Sequence, residues 1–369
     1  MLNHLDLSEN VLLSQLVRLD ISFNQINGSI PQQLCNLNSL VEKSLSSNNF
    51  FGPKPSSIGQ LVNLTHFHIS SNQINGNLPL SFTSLTHLVM FRPSDNEING
   101  SIPVDIGKMK NLVSFFLSDN IFTGPLPSTL GQLTKLSSLL LFSNHIIGSV
   151  PSDIWKLDNL TLLSLVTLVL ESNQLTGALP WSAICNLSKL QDMILSWNRF
   201  SGSIPSGIGN LKYLESLKLS SSNLTGPIAT SLRGLVRIKD IDLSHHRLSG
   251  SIPVEICALF TLTSLDLSHN SLVGELPSSL GNLTKLTTLN LAYNNLSSSI
   301  ISSFLLHFEN NSLDLDGTEH LCGNLTGFAS CFQSTSQGVN KKLDTPPTES
   351  EALLFPSRLS LSCQFLCLQ

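Results

Sequence analysis

Apolar residues recur along the chain in a fixed frame set by asparagine. Asn24, Asn48, Asn72, Asn96, Asn120 and Asn144 are 24 residues apart, and after spacings of 29 and 25 the series runs on through Asn173, Asn198, Ser222, His246, Asn270 and Asn294. Around these positions one frame recurs: an apolar residue five and three before, another two after, Gly four after in eleven of the twelve, and usually Pro seven after. In one such frame Leu265 and Leu267 lie two apart, which on a strand turns both to one face and Asp266 and Ser268 to the other. Asn270 follows where the chain must turn, and its side chain there can bond backbone groups the strand no longer pairs. Gly274 permits a positive φ at the next bend, Pro277 fixes φ at an edge, and Leu280, Leu283 and Leu286 then recur every third residue on the returning side.

One coil cannot bury both its leucine rows, so coils must stack with their strands parallel and about 4.8 Å apart. Twelve coils give a solenoid about 55 Å long at that spacing. This accounts for a chain of 369 residues without a second globular core.

The runs LTSLDLSHNSLVGELPSSLGNL and NLVSFFLSDNIFTGPLPSTLGQL resemble the plant-type leucine-rich repeats of receptor-like kinases and receptor-like proteins, over roughly residues 1 to 331. The GxIP segment is what marks the plant class. The resemblance implies an α/β leucine-rich-repeat solenoid, a right-handed curved superhelix with a concave parallel β-sheet and an irregular, 3-10 convex side. It also implies an ectodomain on the outer face of the plasma membrane that binds a peptide ligand or a co-receptor ectodomain on its concave face. The segment HLCGNLTGFASC resembles the C-terminal cap of those ectodomains, with Cys322 and Cys331 where a disulfide is expected. The resulting division is truncated first repeats over 1–23 without an N-terminal cap, an array over 24–300, a cap over 301–331, and a linker and atypical tail over 332–369.

Several features depart from that family. The chain opens inside a repeat at MLNHLDLSEN, with no leader segment and with Leu2, Leu5 and Leu7 as an open apolar end. No run of about 20 apolar residues is present to span a bilayer, and no kinase signature occurs. A fragment of a receptor gene product fits these features best. Lys43 takes a row that is otherwise apolar and is expected to snorkel from the edge of its coil. Pro93 takes an inward strand position and should remove one ladder bond. The extra residues near Thr161 to Leu165 are too short for the ligand-binding island of steroid receptors in this family.

Composition narrows the chemistry. With 20 Lys and Arg against 25 Asp and Glu, a net charge of −5, and basic residues scattered along the sequence, nothing suggests nucleic acid or an anionic membrane as partner. No GxSxG elbow, HExxH or phosphate loop occurs, so no catalytic residue, metal or cofactor is assigned and an enzyme is not expected. His245 and His269 share a column beside Asp242 and Asp266, but two coils do not close a coordination sphere. Cys35, Cys185 and Cys257 fall in one slot of coils too far apart for a bridge. Ten glycosylation sequons start at Asn27, Asn63, Asn99, Asn159, Asn186, Asn223, Asn282, Asn295, Asn310 and Asn324. Of these, Asn63, Asn159, Asn186 and Asn282 are expected on the outer side.

Function is then sought on outward strand positions. Four residues before the asparagine these are polar at Asp20, Ser44, His68 and Arg92 and again at Lys218, Asp242, Asp266 and Asn290. Between them lie Phe116, Leu140, Val169 and Ile194, with Phe142 and Trp197 in neighbouring columns. These six make an apolar patch about 15 to 20 Å long with a polar rim, the anatomy of a peptide or protein interface. The spacings of 29 and 25 fall within it, which leaves open whether Val169 and Ile194 point outward. No Arg-x-Arg pair stands on a concave strand to hold a peptide carboxylate. A secreted inhibitor of a cell-wall hydrolase and a non-functional partial gene product are the alternative readings.

Overall fold

In every coil but the first and last described, the strand buries its central residue and the residue just after the strand. In Ser264–Asp266, Leu265 and the following Leu267 are both 0% exposed, while Ser264 and Asp266 flank Leu265 on the other face. The computed structural model describes residues 14–157, 165–299, 312–318 and 320–322, all within one unit spanning Met1–Cys331. Leu2, Leu5, Leu7, the extra residues 161–164, Asn159, Asn310, Asn324, Cys331 and the tail lie outside the described residues.

Thirteen such strands, from Arg18–Asp20 to Ser312–Asp314, pair in chain order into one parallel sheet. Its register is that of the sequence frame: Ile241 lies opposite Leu265 and Asp242 opposite Asp266. Inward leucines therefore stack on inward leucines. Each fully buried one contributes about 1.5 to 3 kcal/mol relative to exposure.

Asparagine closes the coil as its position suggests. Asn48 Oδ1 accepts the Ile26 N–H at 3.0 Å, and Nδ2 donates to Ile21 O at 3.0 Å and to Leu45 O and Ser46 O at 3.2 Å. One side chain thus satisfies backbone groups in two coils at once. The residue before it turns the corner in the left-handed region in all twelve coils, from Phe23 (φ 56) to Tyr293 (φ 53), although none of these residues is glycine.

A feature absent from the sequence reading follows that corner. The segment after each asparagine forms a second parallel sheet along the flank, five strands up to Ile121–Phe122 and eight from Ile147–Gly148, joined by an isolated bridge between Pro125 and Ile147. The apolar and glycine rows that follow the asparagine both lie in it, but they pair out of step, with Gly52 opposite Ile74, so they do not announce a ladder. Glycine in this sheet is there for conformation and space: Gly100 has φ 75, and a Cβ on it would stand 3.0 Å from that of Asn77.

The outer side is made of 3-10 turns entered mostly through proline, as in Ser278–Asn282 after Pro277, with Leu280 inward. One coil instead forms a short α-helix, Trp181–Ile184, closed by Ile184 N–H to Pro180 O at 3.1 Å and Cys185 N–H to Trp181 O at 2.9 Å. The wider α turn holds one more residue than a 3-10 turn, which explains the spacing of 25 between Asn173 and Asn198.

Two departures behave differently from one another. Pro93 costs a ladder bond as expected: Ile69 N–H reaches Arg92 O and Leu117 N–H reaches Leu140 O, whereas Pro93 has no N–H to give Phe116 O, which accepts Ser94 Oγ at 3.2 Å instead. Lys43 does not snorkel. It is 1% exposed, its Nζ has no hydrogen-bond partner, and it ends 4.9 Å from the centre of the Phe67 ring. As the central residue of strand Glu42–Ser44, between Leu19 and Phe67 in register, it points into the core with neighbouring coils above and below. Its coil buries a second lysine, Lys54, which stands where most coils have Ile or Leu and donates to Asn75 O and Gly76 O at 3.0 and 3.1 Å.

Candidate functional site

The insertion between Asn144 and Asn173 leaves the strand register intact. Leu140 lies opposite both Phe116 and Val169, and Val169 opposite Ile194, so the four form one column on adjacent strands of the concave sheet. Their inner neighbours Phe115, Leu139, Leu168 and Met193 are all 0% exposed, which turns the column outward. Val169 and Ile194 both belong to the outward face. Val169 itself is only 5% exposed, however, so it spaces the patch rather than lining it. Phe116, Leu140 and Ile194 are half-buried and supply the accessible apolar surface.

The two remaining residues of the patch are held by the coil corner. Phe142 is half-buried in a row where the preceding coil has the buried Ser118. Trp197 occupies a left-handed corner at φ 55 and is 45% exposed. Its backbone N–H donates to Ser220 O at 2.9 Å, fixing the base of an aromatic side chain that reaches solvent.

Charge borders the column at both ends. Arg92 lies with its guanidinium carbon 4.9 Å from the Phe116 ring centre, extending the aromatic surface with a cation. Beyond Ile194 comes Lys218, opposite Asp242, with its Nζ 2.8 Å from Asp240. Burial opposes the Lys218 charge, but the Asp240 hydrogen bond and nearby carboxylates outweigh it and hold the group above its ordinary value. Burial pushes the carboxyls of Glu171 and Asp192 upward. With Asp240, Asp242, Asp266 and Asp314 on the same face, the C-terminal half of the concave sheet is acidic.

The N-terminal concave end is mixed in charge. A shallow hollow of about 250 Å³ lies among Arg18, Asp20, Glu42, Ser44, His66 and His68. Burial, with Arg92 and His66 alongside, lowers His68 to about 4. Farther along, His245, His269 and Tyr293 stack ring on ring at 4.0 and 4.3 Å along the corner row. Among the described residues no group of three or more His, Cys, Asp or Glu is placed to hold a metal ion.

The remaining assignments sort by exposure. Cys35, Cys185 and Cys257 are buried free thiols. The sequon asparagines Asn27, Asn63, Asn99, Asn186, Asn223, Asn282 and Asn295 are all exposed; Asn27, Asn99, Asn223 and Asn295 fall on the flank sheet. Cys322 ends the strand His320–Cys322, but its expected partner lies outside the described residues. Among the described residues no helix is long and apolar enough to cross a membrane.

Folding also gathers charges that look scattered along the sequence. Lys189, Lys212 and Arg237, exposed on three successive coils, surround Tyr213 on the convex side, with Lys189 Nζ and the Arg237 guanidinium carbon 5.0 and 4.5 Å from its ring centre. Their spacing of about one coil was the available signal, masked in the sequence by a negative net charge.

Strands, ladder and 3-10 turns together define a leucine-rich-repeat solenoid. The Leucine Rich Repeat family model matches residues 15–37, 63–85, 111–133, 189–211, 261–283 and 285–306. Among solved structures, PEPR1–AtPEP1 is 34% identical with a TM-score of 0.71, over 83% of this chain and 41% of that one. A TDR receptor is 31% identical with a TM-score of 0.72, over 84% and 56%. The Arabidopsis receptor kinase HAESA, in complex with the peptide hormone IDA and the co-receptor SERK1, is 28% identical with a TM-score of 0.68, over 86% and 63%. The chain is thus a leucine-rich-repeat array built like the ectodomains of plant receptor kinases. It spans 41% to 63% of the length of these chains. A search of curated protein sequences found no match.

Proposed function

We propose that this chain is a non-catalytic recognition module, part of a receptor-type ectodomain on the outer face of a plasma membrane, that binds an extended peptide on its concave sheet. The observation that carries this is the unbroken outward column Phe116–Leu140–Val169–Ile194, apolar amid a polar face and flanked by Phe142 and Trp197. At Phe116, Leu140 and Ile194, which are only half-buried, packing leaves the position free to be polar, as it is in the coils on either side, so burial within the coil is not what makes these three apolar. The HAESA complex, whose fold is similar, includes the peptide hormone IDA, which supports the same ligand class here.

The charges set the peptide's direction. Its apolar side chains lie over the column and its basic residues lie toward Asp240, Asp242 and Asp266. Pairing with a co-receptor ectodomain uses the rim of the same face. Screening the purified chain against a display library of random linear peptides tests this. Enriched sequences should join two or more large apolar residues to a basic end, and Leu140→Asp should lose them; enrichment of acidic or wholly polar peptides would refute the reading.

A further inference from the structure

We propose that the convex side carries a second binding strip, separate from the concave column, that takes a linear carboxylated polysaccharide, a polyuronate.

The strip begins where each outer turn ends. Just before and after the buried leucine that closes the turn (Leu133, Leu187, Leu211, Leu235, Leu283) run three exposed rows. Among the described residues these rows contain Lys108, Lys110, Lys135, Lys156, Lys189, Lys212, Arg237 and Lys285 and no acidic side chain; Asp158, which also falls there by sequence, lies outside them. Lys108 and Lys156 pair with Asp105 and Asp153 in their own turns, whereas the other six make no ion pair among the described residues. Lys135 donates to Asn111 Oδ1 at 2.7 Å and Lys212 to Gly209 O at 2.7 Å, neutral acceptors that orient each ammonium and leave its charge uncompensated.

At its centre the strip is preorganised. Tyr213 stands in the coil between those of Lys189 and Arg237, and both cations lie against its ring. A ring so flanked offers a ligand little of its face, which excludes stacking of a neutral sugar, while its edge and the two cations face outward and suit carboxylates.

Shape selects among anions. Lys110 and Lys135 stand on successive coils, as do Lys189, Lys212 and Arg237, about one strand spacing, roughly 4.8 Å, apart, in a narrow line over a surface that curves away. A linear polymer with one carboxylate per sugar can follow that line from coil to coil. A flat bilayer meets only the crest of the curve. Each exposed contact is weak alone, so binding must build up along the polymer.

The test uses the full chain produced without N-glycans, because Asn186 lies three residues from Lys189. Binding to polygalacturonate fragments of about ten sugars should be measurable, should weaken steeply with added salt, and should greatly exceed binding to the single sugar acid. Lys189→Gln with Arg237→Gln should weaken it about tenfold. Arg18→Gln, a charge loss on the concave face, should change it less than about twofold. Tyr213→Leu keeps every charge and should still weaken binding about two- to threefold. All four side chains are exposed, so the variants should melt with the parent. Equal losses in the double variant and Arg18→Gln, no dependence on fragment length, or preference for phosphatidylserine vesicles over the polyuronate would each overturn the proposal.

Discussion

The Lys43 ammonium ends 4.9 Å from the ring centre of Phe67, the residue opposite it in register, inside a core of leucine and phenylalanine. Burial lowers its pKa from 10.5 to about 8, a penalty of about 3 kcal/mol against the unfolded chain. The cation–ring contact offsets only part of this. Below pH 8 the group is charged in both states and the cost is constant. Between about 8 and 10.5 the unfolded chain binds the extra proton, so stability rises with pH. Urea midpoints at pH 7.5 and 10.5 should show that rise, and Lys43→Leu should be more stable at the lower pH and lose much of the difference.

Ser222 stands where most coils have the bridging asparagine, and its buried Oγ has no partner. Asn198 in the coil before accepts from Leu175 N–H and donates to Leu170, Leu195 and Ser196 carbonyls. Ser222→Asn should restore such a set and stabilise the chain by about 1 to 2 kcal/mol, read as a higher melting temperature. Asn120→Ala, which removes four bonds, should cost about 2 to 4 kcal/mol.

Acid should weaken the N-terminal coils. His68 is held at about 4 by burial, Arg92 and His66, partly opposed by Glu42 and Asp20. The unfolded chain therefore takes up its proton first, and stability falls as pH drops from about 6.5 toward 4. Because the ring is partly exposed, solvent limits the loss to about 1 to 2 kcal/mol. His68→Gln should flatten this limb in melts at pH 7 and 4.5.

Recognition and packing can be separated within the patch. Trp197→Ala removes the ring of a residue that is 45% exposed and should leave the melting curve within about 0.5 kcal/mol while lowering affinity for a selected peptide at least about tenfold. Val169→Ala, at a position 5% exposed, should do the reverse, costing about 1 kcal/mol with little change in affinity. Equal effects of the two on binding would remove the distinction drawn between them.

The concave strands, the asparagine corner and the outward column were legible because each rests on one residue type repeated at one offset, such as Leu265, Asn270 and Gly274. The flank sheet was not, since in strands such as Asn49–Pro53 the repeated residues pair out of step, with Gly52 opposite Ile74, and no row faces its own kind. Lys43 departs from expectation because a lysine in an apolar row ordinarily reaches water, and only the stacked coils above and below it block that route. Lys189 and Arg237 are nearly fifty residues apart in sequence, and only the winding of the chain brings both to Tyr213.

The coil that buries Lys43 also buries Lys54, which burial likewise lowers to about 8. In a stack whose members touch only their neighbours, two such charges in one member make a seam where the array parts before it parts elsewhere. Heating should therefore shed the first coils as a separate early step and leave the Phe116 to Ile194 column standing. Loss of the N-terminal end and loss of ligand recognition need not coincide.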